Sequence, residues 1–132
     1  MSDQRNRQAA AEHIRTISLQ VVSLCDALLG AVPLPEEVQE IVQIIRNNGQ
    51  RYVDVLSEEG VQEILHAHPE HIADLNHELR TPLVSLIGYS DLLLEGLFGD
   101  LDADPLEHIT TIRTLVEDVD GYLVQLLEVP NL

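Results

Sequence analysis

Residues 69–95 read PEHIADLNHELRTPLVSLIGYSDLLLE, the longest stretch of the 132-residue chain that keeps a helical spacing of apolar side chains. Leu79, Leu86 and Leu93 recur every seven residues and share one face. His77 lies about 200° round the helix from Leu79, so its imidazole faces outward. Thr81 and Ser85 follow it at four-residue steps, which places a histidine, a hydroxyl and small residues on one exposed stripe. Pro82 has no N–H, so the carbonyl of Glu78 loses its helical donor and a local bend is expected there. The spacing predicts one helix from Pro69 and Glu70 to about Glu95 and Gly96.

A second arm follows. The polar, glycine-containing segment 96–104 forms a turn in which Leu97, Phe98 and Leu101 are expected to fold back on the end of the structure. Asp104 and Pro105 then open a helix that carries Ile109, Ile112, Leu115, Val116, Val119, Tyr122, Leu123 and Leu126 and stops at Pro130. The N-terminal half has the same layout. Arg5 to Leu29 carries Ile14, Ile17, Val21, Leu24 and Leu28 at steps of three and four, with Gly30 expected as its C-terminal cap. Pro35, Glu36 and Glu37 start a helix with Val38, Ile41, Val42, Ile45, Tyr52, Val53 and Leu56 on one face. Asn47, Asn48 and Gly49 make its middle locally soft. Between the halves, residues 57–68 read as a connector with one or two helical turns around Val61, Ile64 and Leu65. Four amphipathic helices with short connections predict an all-α fold, an antiparallel up-down four-helix bundle made of two helical hairpins.

Composition agrees with that class. Hydrophobic residues make up 45% of the chain but aromatic ones only 3%, so the core is aliphatic, which suits a bundle better than a sandwich or barrel. The formal charge is −16, from 23 acidic and seven basic residues, all arginine. Such a charge repels phosphate backbones and anionic lipid, so neither nucleic acid nor membrane is an expected partner. The single cysteine, Cys25, falls in an apolar run and reads as a buried, reduced thiol. No apolar run approaches a membrane span and the N-terminus lacks a signal peptide's apolar core, so a cytoplasmic location is expected.

The two halves also match each other weakly. Sliding residues 12–30 forward by sixty-five positions pairs Arg15 with Arg80, Thr16 with Thr81, Asp26 with Asp91, Leu28 with Leu93 and Leu29 with Leu94. Sliding the second helix forward by seventy pairs Pro35 with Pro105, Tyr52 with Tyr122, Val53 with Leu123 and Leu56 with Leu126. In this register Glu12 stands where His77 stands, and Ile17 where Pro82 stands. The first hairpin keeps the packing residues without the chemistry. The chain thus divides into an N-terminal hairpin, 1–57, a connector, 58–68, and a histidine-bearing hairpin, 69–132.

His77 to Leu83, extended by Ile87, Gly88, Tyr89, Leu92 and Leu93, resembles the H-box of sensor histidine kinases. The resemblance covers roughly residues 69–128, the dimerisation and histidine phosphotransfer hairpin of that family. It implies that His77 is phosphorylated on a ring nitrogen and that Glu78 orients the ring or accepts its proton. Chemically, a neutral imidazole is nucleophilic near neutral pH, and a carboxylate in reach raises its basicity. By the same resemblance Thr81 takes the position that places water for phosphatase action, Arg80 complements phosphate charge, and Val84, Ser85 and Gly88 offer the small-residue surface where a response regulator packs. Pro82 supplies the kink.

The family continues into an ATP-binding domain with asparagine-rich and glycine-rich boxes, which these 132 residues lack, and no phosphate-cradling glycine loop occurs elsewhere. Autonomous ATP-dependent kinase activity is therefore not expected. The resemblance implies phosphate exchange with a receiver-domain aspartate, or hydrolysis of its phosphate, with a kinase ATP-binding domain acting in trans. The chain itself needs no cofactor, and Mg²⁺ is expected on the partner receiver. Because each hairpin begins and ends at the same end of a bundle, the first hairpin can stand in for a partner protomer, giving a monomeric pseudo-dimer; a homodimer through residues 69–128 is the rival. The alternative function is a non-catalytic helical adaptor, or a fragment of a full sensor kinase, that regulates a receiver or kinase by occupancy. His66, His68 and His71 are close in sequence, but Pro69 interrupts them and no cysteine is near, so no metal site is expected.

Overall fold

The computed structural model describes residues 2–31 and 33–127. The expected stop at Pro130 lies outside them. Six helices make up the described residues: α1 (Ser2–Ala31), α2 (Glu36–Val55), α3 (Glu58–Leu65), α4 (Pro69–Leu94), α5 (Ala103–Glu117) and α6 (Val119–Leu126). There is no strand among them, and no helix is long and apolar enough to cross a membrane.

Each boundary has a local cause. α1 runs past Gly30 to Ala31, so Gly30 is inside the helix and not its cap. The chain meets Pro33 shortly afterwards, and proline ends helices by lacking a donor and restricting the preceding residue. Pro35 caps α2, whose first turn carries Glu36 and Glu37 as the helix dipole favours. The Ser57 hydroxyl accepts the Gly60 N–H at 3.1 Å and so starts α3. Gly60 is required there, since a Cβ would lie 2.0 Å from the Val55 carbonyl oxygen. α4 ends in a Schellman motif: Gly96 takes a φ of 74°, its N–H donates to Leu93 O, and the Leu97 N–H donates to Leu92 O.

Three expectations change at the C-terminal hairpin. α5 has Asp102 at its N-cap position and begins at Ala103, one residue before the expected Asp104 and Pro105, which fall in its first turn. The expected fourth helix is interrupted at Asp118, whose backbone stays right-handed helical at φ −79° and ψ −15°, so α5 and α6 continue as one arm. Phe98 and Leu101 pack on the core, but Leu97 does not, because the left-handed Gly96 turns it outward and leaves it 63% exposed.

α1 packs against α2 and the α5–α6 arm, α4 packs against the same two, and α1 and α4 lie on the diagonal. The result is an antiparallel four-helix bundle with α3 at one end. Its core is aliphatic, with Ile14, Val21, Ile45, Leu56, Leu86, Ile109, Ile112, Leu123 and Leu126 fully buried. Gly49 is no soft spot. It is buried where α2 meets α1, and a Cβ there would stand 3.3 Å from methyls of Val21 and Val22. Each hairpin is braced by an aspartate on its first helix and an arginine on its second: Arg46 to Asp26 at 2.5 Å and Arg113 to Asp91 at 2.8 Å. Arg7 ties the ends together, donating to Leu126 O at 2.8 Å, Ile64 O at 3.3 Å and Leu65 O at 3.4 Å. The guanidinium thereby serves the last carbonyls of both α6 and α3.

Candidate functional site

α4 carries the histidine stretch because its apolar residues hold one side to the core. Ile72, Leu79, Pro82, Leu83, Leu86, Ser90 and Leu93 are buried, at spacings of three, four and seven. The other side is consequently fixed. His77, Thr81, Val84 and Gly88, at steps of four, three and four, form one exposed stripe. Val84 is 70% exposed, and nothing stands within 4 Å of where a Cβ on Gly88 would be. Glu78 is exposed beside the stripe and Ser85 is half-buried at its edge. Among the described residues neither the His77 ring nor the Glu78 carboxylate has a hydrogen-bond partner, so the imidazole is open to a ligand arriving from solvent.

Two of the expected residues are engaged elsewhere. The Thr81 hydroxyl donates to the His77 backbone carbonyl at 3.1 Å, closing the turn that presents the histidine. Arg80 is half-buried; its Nε donates to Asn76 Oδ1 at 2.6 Å, and a terminal nitrogen pairs with the Asp120 carboxylate on α6. In this arrangement the guanidinium links the two helices of the hairpin and its charge is matched by Asp120. Beside it an open cleft of about 280 Å³ is lined by Asn76, Arg80, Leu123, Val124 and Leu127. A second cleft, about 400 Å³, sits in the related register of the other half, with Glu12, Arg15 and Ser57 in its wall. Glu12 there occupies the sequence position of His77.

Pro82 is buried inside α4, and the helix runs on through it. The residue that meets this point comes from the other hairpin. Tyr52 on α2 is fully buried, and its hydroxyl donates to the Leu79 carbonyl oxygen, two residues beyond His77. Burial pushes the phenol's pKa up, while the backbone amide of Leu83 opposes the rise. Sequence spacing marks Tyr52 as core but says nothing of its hydroxyl, and it gives no sign of Asp120 or Asn76. Elsewhere, His66 Nδ1 lies 2.8 Å from Gln62 O, and no group of three or more His, Cys, Asp or Glu gathers among the described residues.

Similarity to known proteins includes this segment and extends beyond it. Residues 69–130 match the His Kinase A (phospho-acceptor) domain. The chain is 33% identical over 72 residues to hybrid signal transduction histidine kinase A of Dictyostelium discoideum, covering 52% of this chain and 3% of that protein. It is 32% identical over 94 residues to the circadian input-output histidine kinase CikA of Synechococcus elongatus, 71% of this chain and 12% of that one. Against the sensor protein CseC of Streptomyces coelicolor it is 34% identical over 116 residues, 87% of this chain and 20% of the other. The chain therefore spans at most a fifth of the length of these relatives. No solved structure matches it significantly. With a buried apolar face on α4, an outward histidine and this matched span, residues 69–130 belong to the His Kinase A (phospho-acceptor) domain family, the histidine-bearing hairpin of two-component signalling.

Proposed function

We propose that this chain is a histidine phosphotransfer module in which His77 exchanges a phosphoryl group with the aspartate of a response regulator receiver domain. The exposed stripe of His77, Thr81, Val84 and Gly88 carries this reading, since it sets a nucleophile at one end of an uncluttered strip of small and apolar surface. In the transfer, the ring nitrogen's lone pair attacks the phosphorus, the bond to the aspartyl oxygen breaks with its electron pair leaving on the carboxylate, and Glu78 balances the positive charge that develops on the ring or accepts the proton of its other nitrogen. Mg²⁺ held by the receiver supplies charge neutralisation for the phosphoryl oxygens. A kinase ATP-binding domain acting in trans provides phosphate when flow runs the other way. Phosphatase action on the receiver is the variant of this function in which Thr81 leaves the His77 carbonyl and orients water.

The packing of α1 and α2 against α4, α5 and α6 within one chain supports a monomeric pseudo-dimer, in which the first hairpin takes the place of a partner protomer. Light scattering tests it, and a dimer at micromolar concentration argues for the rival arrangement. One observation favours the adaptor reading: Arg80 and Thr81 are both engaged within the protein. Incubation with a phosphorylated receiver separates the two functions. Phosphotransfer predicts acid-labile phosphate on the chain that disappears in His77→Gln. Loss of receiver phosphate without label, abolished in Thr81→Ala, identifies phosphatase action. Binding with neither effect identifies the adaptor.

A further inference from the structure

Pro82 opens α4 at a particular rung. Without an N–H it leaves the Glu78 carbonyl undonated, and its ring crowds that carbonyl outward. The adjacent rung, from the Leu83 N–H to the Leu79 carbonyl, is the one that must yield. The Tyr52 hydroxyl is found at that rung, donating to Leu79 O in a site with no solvent exposure. The phenol oxygen also faces the Leu83 amide, so it stands between the two groups of that rung, and without them it would be a costly unpartnered hydroxyl in an aliphatic core. The proline and the tyrosine hydroxyl therefore suit each other.

The other half of the chain supplies the control. Tyr122 occupies the register of Tyr52 and lies on α6, which packs against α1. Ile17 occupies the register of Pro82, so α1 keeps its N–H there and the rung stays closed. Tyr122 is only half-buried, and its ring stacks on exposed His13 at 4.7 Å between centroids and 18° between planes. Both tyrosines sit at equivalent places, and among the described residues only the one facing a proline has its hydroxyl on the partner helix's backbone.

We infer that Tyr52 is a positioning residue for His77: from the half that lacks the histidine it reaches across the bundle and fastens the helix backbone at Leu79, next to the turn that presents the imidazole. This rests on the reading of His77 as phosphoacceptor. The fastening acts on a short span. His77 and Thr81 are joined by the hydroxyl-to-carbonyl bond, Arg80 is held by Asp120, and Leu79 lies between them in the grip of Tyr52. Releasing the phenol frees the turn to fluctuate without touching any group that meets phosphate.

Amide hydrogen exchange on the full chain, read residue by residue, tests the tie in wild type, Tyr52→Phe, Pro82→Ala and the double variant. Tyr52→Phe keeps the ring and removes only the oxygen. The expected result is exchange at the Leu79, Leu83 and Leu86 amides at least ten-fold faster, with less than three-fold change at Ile14 and Ile109. In the Pro82→Ala background, where the helix closes its own rung, Tyr52→Phe should change those same amides by less than three-fold. Uniform acceleration through the bundle, or an equal effect in both backgrounds, overturns the inference. With a phosphorylated receiver as substrate, Tyr52→Phe should lower the transfer rate several-fold at unchanged KM, and an unchanged rate also overturns it. If wild type takes no phosphate at all, the reading of His77 fails, while the exchange pattern still decides whether the tie exists.

Discussion

The sole cysteine gives a prediction with a defined pH window. Cys25 is fully buried on α1, and desolvation pushes its thiol from 9.0 up to about 12, with neighbouring Asp26 acting in the same direction and Arg46 against it. In the unfolded chain the thiol ionises near 9.0, whereas in the native protein it stays protonated until about 12. Above pH 9 the unfolded state therefore holds fewer protons than the native state, and stability falls as pH rises. The slope is about 1.4 kcal/mol per pH unit for this one group. At about pH 10.5 the accumulated loss is about 2 kcal/mol, a large share of the 5–15 kcal/mol typical of domains. Cys25→Ala removes the term while leaving other alkaline titrations, including that of buried Tyr52, in place. Urea denaturation of both proteins at neutral pH and at about pH 10.5 should show wild type losing about 2 kcal/mol more than the variant. Equal losses would mean that the native thiol ionises as freely as the unfolded one and that burial does not hold its proton.

Other substitutions probe the connections and the stripe. Gly60→Ala places a methyl 2.0 Å from the Val55 carbonyl oxygen and should cost about 2 kcal/mol or more in urea denaturation, with a change under 0.5 kcal/mol refuting the clash. Gly88→Ala meets nothing within 4 Å and lies mid-helix, so it should stabilise by about 0.5–1 kcal/mol while raising the KM for a phosphorylated receiver if that surface docks one. Arg7→Ala removes three hydrogen bonds to helix-end carbonyls and should cost roughly 1–3 kcal/mol by thermal or urea unfolding. Arg7→Lys should recover only part of it, since an ammonium cannot span α3 and α6 as the guanidinium fork does.

What could be read from the sequence was local. Apolar steps of three and four gave the helices, because burial in a two-sided bundle leaves that periodicity on every arm. Proline and glycine marked most ends, as Pro35, Pro69 and Gly96 show. Gly30 misled because it requires no left-handed backbone, and the nearby Pro33 is what stops the helix. The interruption at Asp118 had no such marker, since its backbone dihedrals remain helical. The stripe around His77 was visible from spacing and from its likeness to the H-box. Its supports were not: Tyr52 meets Leu79 across 27 residues, Arg80 meets Asp120 across 40, and Arg7 meets Leu126 across 119. Side-chain spacing predicts which face is buried, but hydrogen bonds between helices depend on azimuth and axial register that only packing sets.

The most direct test of His77 is native mass spectrometry of the full 14.7 kDa chain after incubation with a phosphorylated receiver, or with phosphoramidate as a small phosphodonor. Phosphotransfer at His77 predicts one phosphoryl group per chain, labile in acid, mapped to His77 and absent from His77→Gln. A chain that stays unlabelled with both donors, or a label that persists in His77→Gln, would contradict it.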